Sequence, residues 1–213
     1  MLSAQGRSIE ALLKRSAPLT EVVQDMIRTR EAAWPKIWCY QPPPQPDWAA
    51  LKSLDFNADY ARLTDWMHAL LDEAPLPDDI TGLFFGMLYP SSESPHKNVA
   101  IFTTGSRRAP VSGEEILREW TLDDHYSPEN CIQQSEVLSA IYRLVTAAVL
   151  DGISEREKAL EMCFQWTALV VAEWLCGPMR RRLLGGARVR RIFAGMDFFM
   201  GFNFGVLTPE NTP

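Results

Sequence analysis

The sequence predicts one α+β domain, in which a small antiparallel sheet packs against N-terminal helices and a long helical hairpin. Apolar residues recur at helical spacing near the N-terminus and again between residues 134 and 176, whereas short apolar runs bounded by turn residues lie between and after these regions. Separate groups of helices and strands are typical of α+β domains. The length of 213 residues and an ordinary globular composition also fit one domain.

The N-terminal region, residues 1–58, is expected to be mainly helical. Residues 7–31 carry apolar side chains at helical spacing, and Pro18 is placed to restart a helix, since proline is tolerated in a first turn. Residues 35–46 contain five prolines, so this connector is expected to be extended. We interpret it as a stiff connector held by its flanking tryptophans; a docking peptide for a partner is the alternative.

The core is expected in residues 59–213. A second amphipathic helix spans residues 59–72, with its apolar side chains on one face. The apolar runs at 82–89 and 99–104 predict two strands that pair in antiparallel fashion through a loose loop. Residues 113–120 predict a short helix before an irregular, acidic loop.

A helical hairpin and a final strand region complete the predicted fold. Residues 134–150 and 154–176 each carry an apolar stripe at helical spacing, and the short link between them favours an antiparallel hairpin. Residues 188–208 read as strand, with a break near residues 195–197 or Gly201. Asp197 is the one carboxylate in this apolar region, and it is expected at a turn or paired with an arginine, with a functional acid as the alternative.

The sequence shows no pattern of a metal, cofactor or catalytic site. The histidines, His68, His96 and His125, form no HxxxH pair, and the four cysteines form no CxxC pair, so free thiols and neither metal nor cofactor are expected. Phosphate-binding glycine loops and a GxSxG elbow are also missing from the sequence. An unrecognised hydrolase-like site around His125 is the enzymatic alternative.

The charges are unevenly distributed. The formal net charge is −6, which disfavours general binding of nucleic acid. Six arginines lie within residues 180–191, while residues 55–79 and 114–129 form two acidic belts with seven and six carboxylates. The arginines are expected to pair with these belts, and contact with RNA or phosphate is the alternative. The belts are either a solubilising face or the docking face for a basic partner.

The sequence also predicts where the chain resides. The N-terminus lacks the apolar core of a secretory signal, since Arg7 and Glu10 follow almost at once. The longest uncharged runs, residues 162–172 and 198–209, are shorter than the ~20 residues that span a bilayer. A soluble, cytoplasmic protein without membrane contact is therefore expected.

Several segments resemble an uncharacterised bacterial family with the character of immunity proteins. They are the strand GLFFGMLYP, the loop WTLDDHYSPEN, the helix VLSAIYRLV and the closing strand GFNFGVL, which together span residues 82–207. The chain departs from the family pattern where Asn203 and Phe204 replace acidic residues of the closing motif. The resemblance implies a lone α+β protein that binds and neutralises another protein.

The expected function is therefore that of a non-enzymatic protein-binding protein, immunity or antitoxin-like, which occludes a basic toxin through an acidic surface. The contact loop is expected to use Tyr126 as an aromatic anchor and carboxylates as a charged rim. A nucleic-acid accessory protein acting through residues 180–191 is a third reading. The predicted partner-binding residues are Asp123, Asp124, Tyr126 and Glu129.

Overall fold

A computed structural model gives the structure of this chain. The structure describes residues 17–34, 45–90, 98–107, 125–147, 153–177, 179–185, 189, 191–197 and 200–206. Of these, residues 153–158, 191, 196–197 and 200–206 are described by their backbone alone. Some predictions therefore lie outside the described residues: those for the first 16 residues, most of the connector, the helix at 113–120, and Asp123 and Asp124.

The described residues form six helices and five strands. The helix predicted at 59–72 begins earlier, at Phe56, because the Asp55 side chain accepts a hydrogen bond from the Ala58 amide (2.9 Å) and caps the helix. The helices are α1 (Leu19–Ala33), α2 (Trp48–Lys52), α3 (Phe56–Glu73), α4 (Glu136–Thr146), α5 (Ile153–Cys176) and α6 (Arg180–Leu183). The strands are β1 (Gly82–Leu88), β2 (Ala100–Ser106), β3 (Ile132–Gln134), β4 (Arg191–Asp197) and β5 (Met200–Val206).

The sheet confirms the α+β class, and its strand order is β3-β2-β1-β4-β5. The predicted antiparallel pair is confirmed, since β1 and β2 pair with Leu83 opposite Gly105. The C-terminal strand region folds into the antiparallel pair β4 and β5. The sheet is mixed rather than antiparallel throughout, because β1 and β4 are parallel, with Phe84 opposite Phe193. Parallel neighbouring strands need a long connection that returns the chain to the same end of the sheet, and the helical hairpin is part of that connection between β1 and β4.

Helix α5 is the central element of the core. From Ala159 onward its buried surface is wider than the single predicted stripe, because every side chain up to Cys176 is buried except those of Glu161, Glu173 and Cys176, which are half-buried. Trp166 and Trp174 are fully buried, and the Trp174 ring packs against Phe85 of β1 with centroids 5.6 Å apart. The stretch Ala159–Cys176 has the length and hydropathy of a membrane span, and 83% of it is buried inside the fold.

The predicted helical hairpin is formed by α4 and α5. The Cys163 thiol donates to the Leu138 carbonyl at 3.4 Å, so the start of α4 lies beside the middle of α5. Burial raises the pKa of this thiol, which keeps it protonated. The described cysteines are in no disulfide: Cys163 is buried, and Cys131 and Cys176 are half-buried.

Two tryptophans at the ends of the proline-rich connector bring α1 and α2 together. Trp34 and Trp48 are buried and pack edge to face, with ring centroids 5.4 Å apart. The Gln24 side chain donates to the Lys52 carbonyl at 3.0 Å and joins the same two helices. This packing agrees with a connector held by its flanking tryptophans, although residues 35–44 are outside the described part of the chain.

A buried carboxylate, that of Asp59 in α3, connects three helices. The Ser135 hydroxyl (2.6 Å) and the Trp166 indole N–H of α5 (3.0 Å) donate to Oδ2. The Glu136 amide and the Arg62 guanidinium donate to Oδ1, both at 3.0 Å. Asp59 is 1% exposed, so these four donors replace the water that a carboxylate would otherwise bind.

Replacing Asp59 with alanine is expected to lower the free energy of unfolding by about 3 kcal/mol, because the buried Ser135 hydroxyl and Trp166 N–H lose their acceptor. Urea denaturation followed by circular dichroism measures the effect. Asp65→Ala, on the exposed side of the same helix, is the matched control and should change stability by less than about 0.5 kcal/mol. Equal losses in the two variants would contradict a structural role for Asp59.

Candidate functional site

Residues 126–136, which lead into α4, run along one face of helix α3. At one end, the Tyr126 hydroxyl donates to the Ala74 carbonyl at 2.6 Å, just beyond the last turn of α3. In the middle, the Trp66 indole donates to the Asn130 carbonyl at 2.8 Å. At the other end, α4 begins at the Asp59 carboxylate. Residues 126–136 therefore run opposite in direction to α3 and are held to it along their length.

Tyr126 is buried at 5% exposure, so its ring is not an exposed anchor for a partner as the sequence suggested. Its amide donates to the Gly105 carbonyl (3.1 Å), and its own carbonyl accepts from the Gly105 amide (2.9 Å). A side chain at position 105 would come within 3.0 Å of Tyr126, so glycine allows this close approach. Burial raises the pKa of Tyr126 to about 12. The residue fixes the loop rather than presenting a contact.

Three exposed carboxylates lie along residues 126–136 and the adjoining end of α3. We call Glu73, Glu129 and Glu136 the acidic strip. The Asn130 side chain donates to Glu73 of the first acidic belt at 2.9 Å, and Glu129, the last residue of the second belt, directly precedes Asn130 in sequence. Glu136 is 80% exposed and forms an ion pair with Arg62, and this hydrogen bond lowers the pKa of its carboxyl. Of the predicted contact residues, Glu129 is thus exposed within the strip.

The last turn of α3 carries two acids where the helix dipole favours cations. Asp72 and Glu73 lie there, and that turn contains no basic residue. Asp72 is compensated by Arg182, which donates to its carboxylate at 2.5 Å and also contacts His68 Nδ1 at 2.7 Å. The predicted pairing of the arginine cluster with an acidic belt is thus confirmed for Arg182.

The remaining candidates are His125, which directly precedes Tyr126, and Asp197 of β4. The backbone of His125 donates to the Gly105 carbonyl at 3.1 Å, and its side chain is exposed. The described residues contain no group of three His, Cys, Asp or Glu side chains that would hold a metal. Asp197 is the last residue of β4 and pairs with Met200 of β5, so it lies at the hairpin turn, as predicted.

Sequence reasoning missed the residues that hold the loop in place. Asp59 shares a helical face with Leu63, Met67 and Leu70, which are buried. An acid on an apolar face signals a buried carboxylate that needs donors, and this pattern could have identified it. Nothing local identifies Asn130 or Trp66, because their contacts join positions far apart in sequence.

Comparison with known proteins returned no match: no protein-family model matches the chain, and no curated protein or solved structure is significantly similar to it. The resemblance of residues 82–207 to immunity-like proteins therefore stays a prediction. Function has to be argued from the geometry of this chain's own residues.

Replacing Tyr126 with phenylalanine removes the hydrogen bond to Ala74 and is expected to lower stability by about 1 kcal/mol at neutral pH. The pKa is about 10 in the unfolded chain and about 12 in the folded one, so the tyrosine's contribution is complete below pH 10 and is lost as pH rises through 12. Urea denaturation between pH 8 and 12 should therefore show the gap between wild type and variant closing.

Trp66→Phe is the control for this titration, because it also removes a hydrogen bond that holds the loop to α3, but the indole does not titrate in this pH range. We expect the stability gap between the wild type and this variant to stay constant with pH. A gap between wild type and Tyr126→Phe that stays constant from pH 8 to 12 would show that Tyr126 is not held protonated by the fold.

Proposed function

We propose that this chain is a non-enzymatic binding protein of the immunity or antitoxin kind, which neutralises a basic protein partner by covering it. In this proposal the docking face is the acidic strip together with Asp123 and Asp124, which precede it in sequence. Its setting is a bacterial cytoplasm. The observation that carries the proposal is that residues 126–131 are fixed to α3, so that Glu73 and Glu129 belong to one surface.

The rigidity of this surface supports a role in binding. Tyr126 ties the loop to α3 by a half-buried hydrogen bond and the Asn130 carbonyl by an exposed one, while the Glu129 side chain stays exposed. A surface that is already ordered loses little conformational entropy when a partner binds. The loop thus has the properties of a preformed docking site.

The charge of the surface supports a basic partner. The chain has a formal charge of −6, and the strip concentrates exposed carboxylates from both acidic belts. Complementary charge speeds encounter and disfavours wrong partners, and exposed carboxylates act mainly on the association rate. A basic toxin or nuclease is the class of partner that this field would attract.

The proposal is tested by capturing partners from the native cells with three tagged proteins: wild type, Glu129→Lys and Asp25→Lys. Asp25 is 65% exposed on α1 and pairs with Arg28 of the same helix, so it is a matched control outside the docking face. Mass spectrometry should identify a basic protein at equal amounts with wild type and Asp25→Lys, and at reduced amounts with Glu129→Lys.

The captured partner then allows a kinetic test. We expect Glu129→Lys, and likewise Asp123→Lys with Asp124→Lys, to slow association roughly 10-fold at low salt and to weaken its salt dependence. Asp25→Lys should leave the association rate unchanged. Two outcomes would refute the proposed docking face: an association rate that none of these charge-reversal variants changes, or a captured partner that is acidic.

A further inference from the structure

Among the strands that the structure describes, β3 lies at one edge of the sheet, and its backbone has a defined outer side. The β3 residues pair with β2 so that Phe102 is opposite Ile132 and Ala100 is opposite Gln134. The flanking bonds run from the Thr103 amide to the Cys131 carbonyl and from the Ser135 amide to the Val99 carbonyl. Hydrogen-bonded and non-bonded residue pairs alternate in an antiparallel ladder, so it is the backbone groups of residues 131, 133 and 135 that point toward β2.

The amides and carbonyls of Ile132 and Gln134 consequently point away from the sheet. The Gln134 carbonyl accepts a bond from the Gln133 side chain at 3.1 Å. Within the described part of the chain, no hydrogen bond to the other three groups is found. Such an edge is a template for an added strand, in which main-chain bonds supply affinity and side chains supply selectivity.

An apolar row on one face of the sheet ends at this edge. Phe84 stacks on Phe193 and meets Phe102 edge to face, with ring centroids 5.6 Å apart in both pairs. Ile132 is opposite Phe102 on β3 and continues the row. Its side chain is 42% exposed, and among the described residues no other large hydrophobic side chain is classed as exposed. A side chain on an added strand would cover it.

The charges around the edge select the occupant. Glu129 and Glu136 are exposed and flank β3 on either side, Glu136 as the ion-pair partner of Arg62, so a carboxylate lies near each end of an added strand. A second copy of this chain paired edge to edge would bring these acids toward their own counterparts, which is unfavourable. A segment that carries lysine or arginine around an apolar residue is complementary to the same edge.

We propose that the β3 edge receives an extended, basic segment of the partner as an added antiparallel or parallel strand, with an apolar side chain packed on Ile132. This inference rests on the proposed function and specifies how the partner is held. The short length of β3 limits pairing to the few main-chain groups of residues 132–134, so the flanking carboxylates supply the remaining selectivity.

The probe is a displayed library of random octapeptides, selected on the full chain as wild type, Gln134→Pro and Gln134→Ala. Proline removes the outward amide of residue 134, whereas alanine keeps it, and both lose the side-chain contact with Asn98. We expect peptides rich in lysine or arginine and in β-branched or aromatic residues, enriched on wild type and Gln134→Ala and at least 10-fold less on Gln134→Pro.

A measurement on the peptide side does not depend on the fold of the variant. The most enriched peptide is synthesised in two N-methylated forms. One carries methyl groups on the backbone amides of its odd-numbered residues, and the other carries them on the amides of its even-numbered residues. One methylated peptide should bind the wild-type chain at least 10-fold more weakly than the unmodified peptide, and the other should bind equally well. The reason is that successive amides of an added strand face opposite sides, so only one set bonds to β3.

The outcomes separate this inference from the proposed function. Basic peptides that bind equally well in both methylated forms, or no enrichment at all, would overturn strand addition while leaving docking by charge to the capture experiment. Neutral or acidic peptides that pass the methylation test would support strand addition and oppose a basic partner. A wild-type dimer that Gln134→Pro abolishes would assign the edge to a second copy and overturn the proposal.

Discussion

The position of the acidic strip depends on one buried carboxylate, that of Asp59. An ionised group in a core is costly unless donors replace its water, and here two donors reach each oxygen. The donors come from α3, from α5 and from the start of α4. Because α4 begins at this carboxylate, the chain just before it, which contains β3, has to run along α3. The core thereby sets the course of a surface loop.

Tyr126 is the second fixed point of that loop, at the end far from Asp59. The two ties use buried polar groups, whereas the residues between them, such as Glu129 and Ile132, remain exposed. Under the proposed function, stability and recognition are thus carried by different residues of one short segment. Such a division allows the exposed side chains to match a partner without loss of the fold, since surface changes away from buried networks cost little.

The acids in the last turn of α3 illustrate a local conflict that tertiary contacts resolve. Asp72 and Glu73 oppose the helix dipole, and Arg182 and Asn130 compensate them from elsewhere in the chain. Places where local rules are broken and repaired at a distance are often functional. Arg182 also shows that at least part of the arginine cluster serves internal pairing.

The sequence alone determined the class of the fold, most element boundaries and the acidic character of the surface. Periodicity and capping are local, so α3, α5 and the β1–β2 pair could be read from spacing and turn residues. The parallel pairing of β1 with β4 and the burial of α5 beyond its predicted stripe depend on how distant elements stack. The same holds for Tyr126, which belongs to an acidic loop in sequence and to the core in space. Only tertiary structure decided these points, because packing joins residues whose separation along the chain leaves no local pattern.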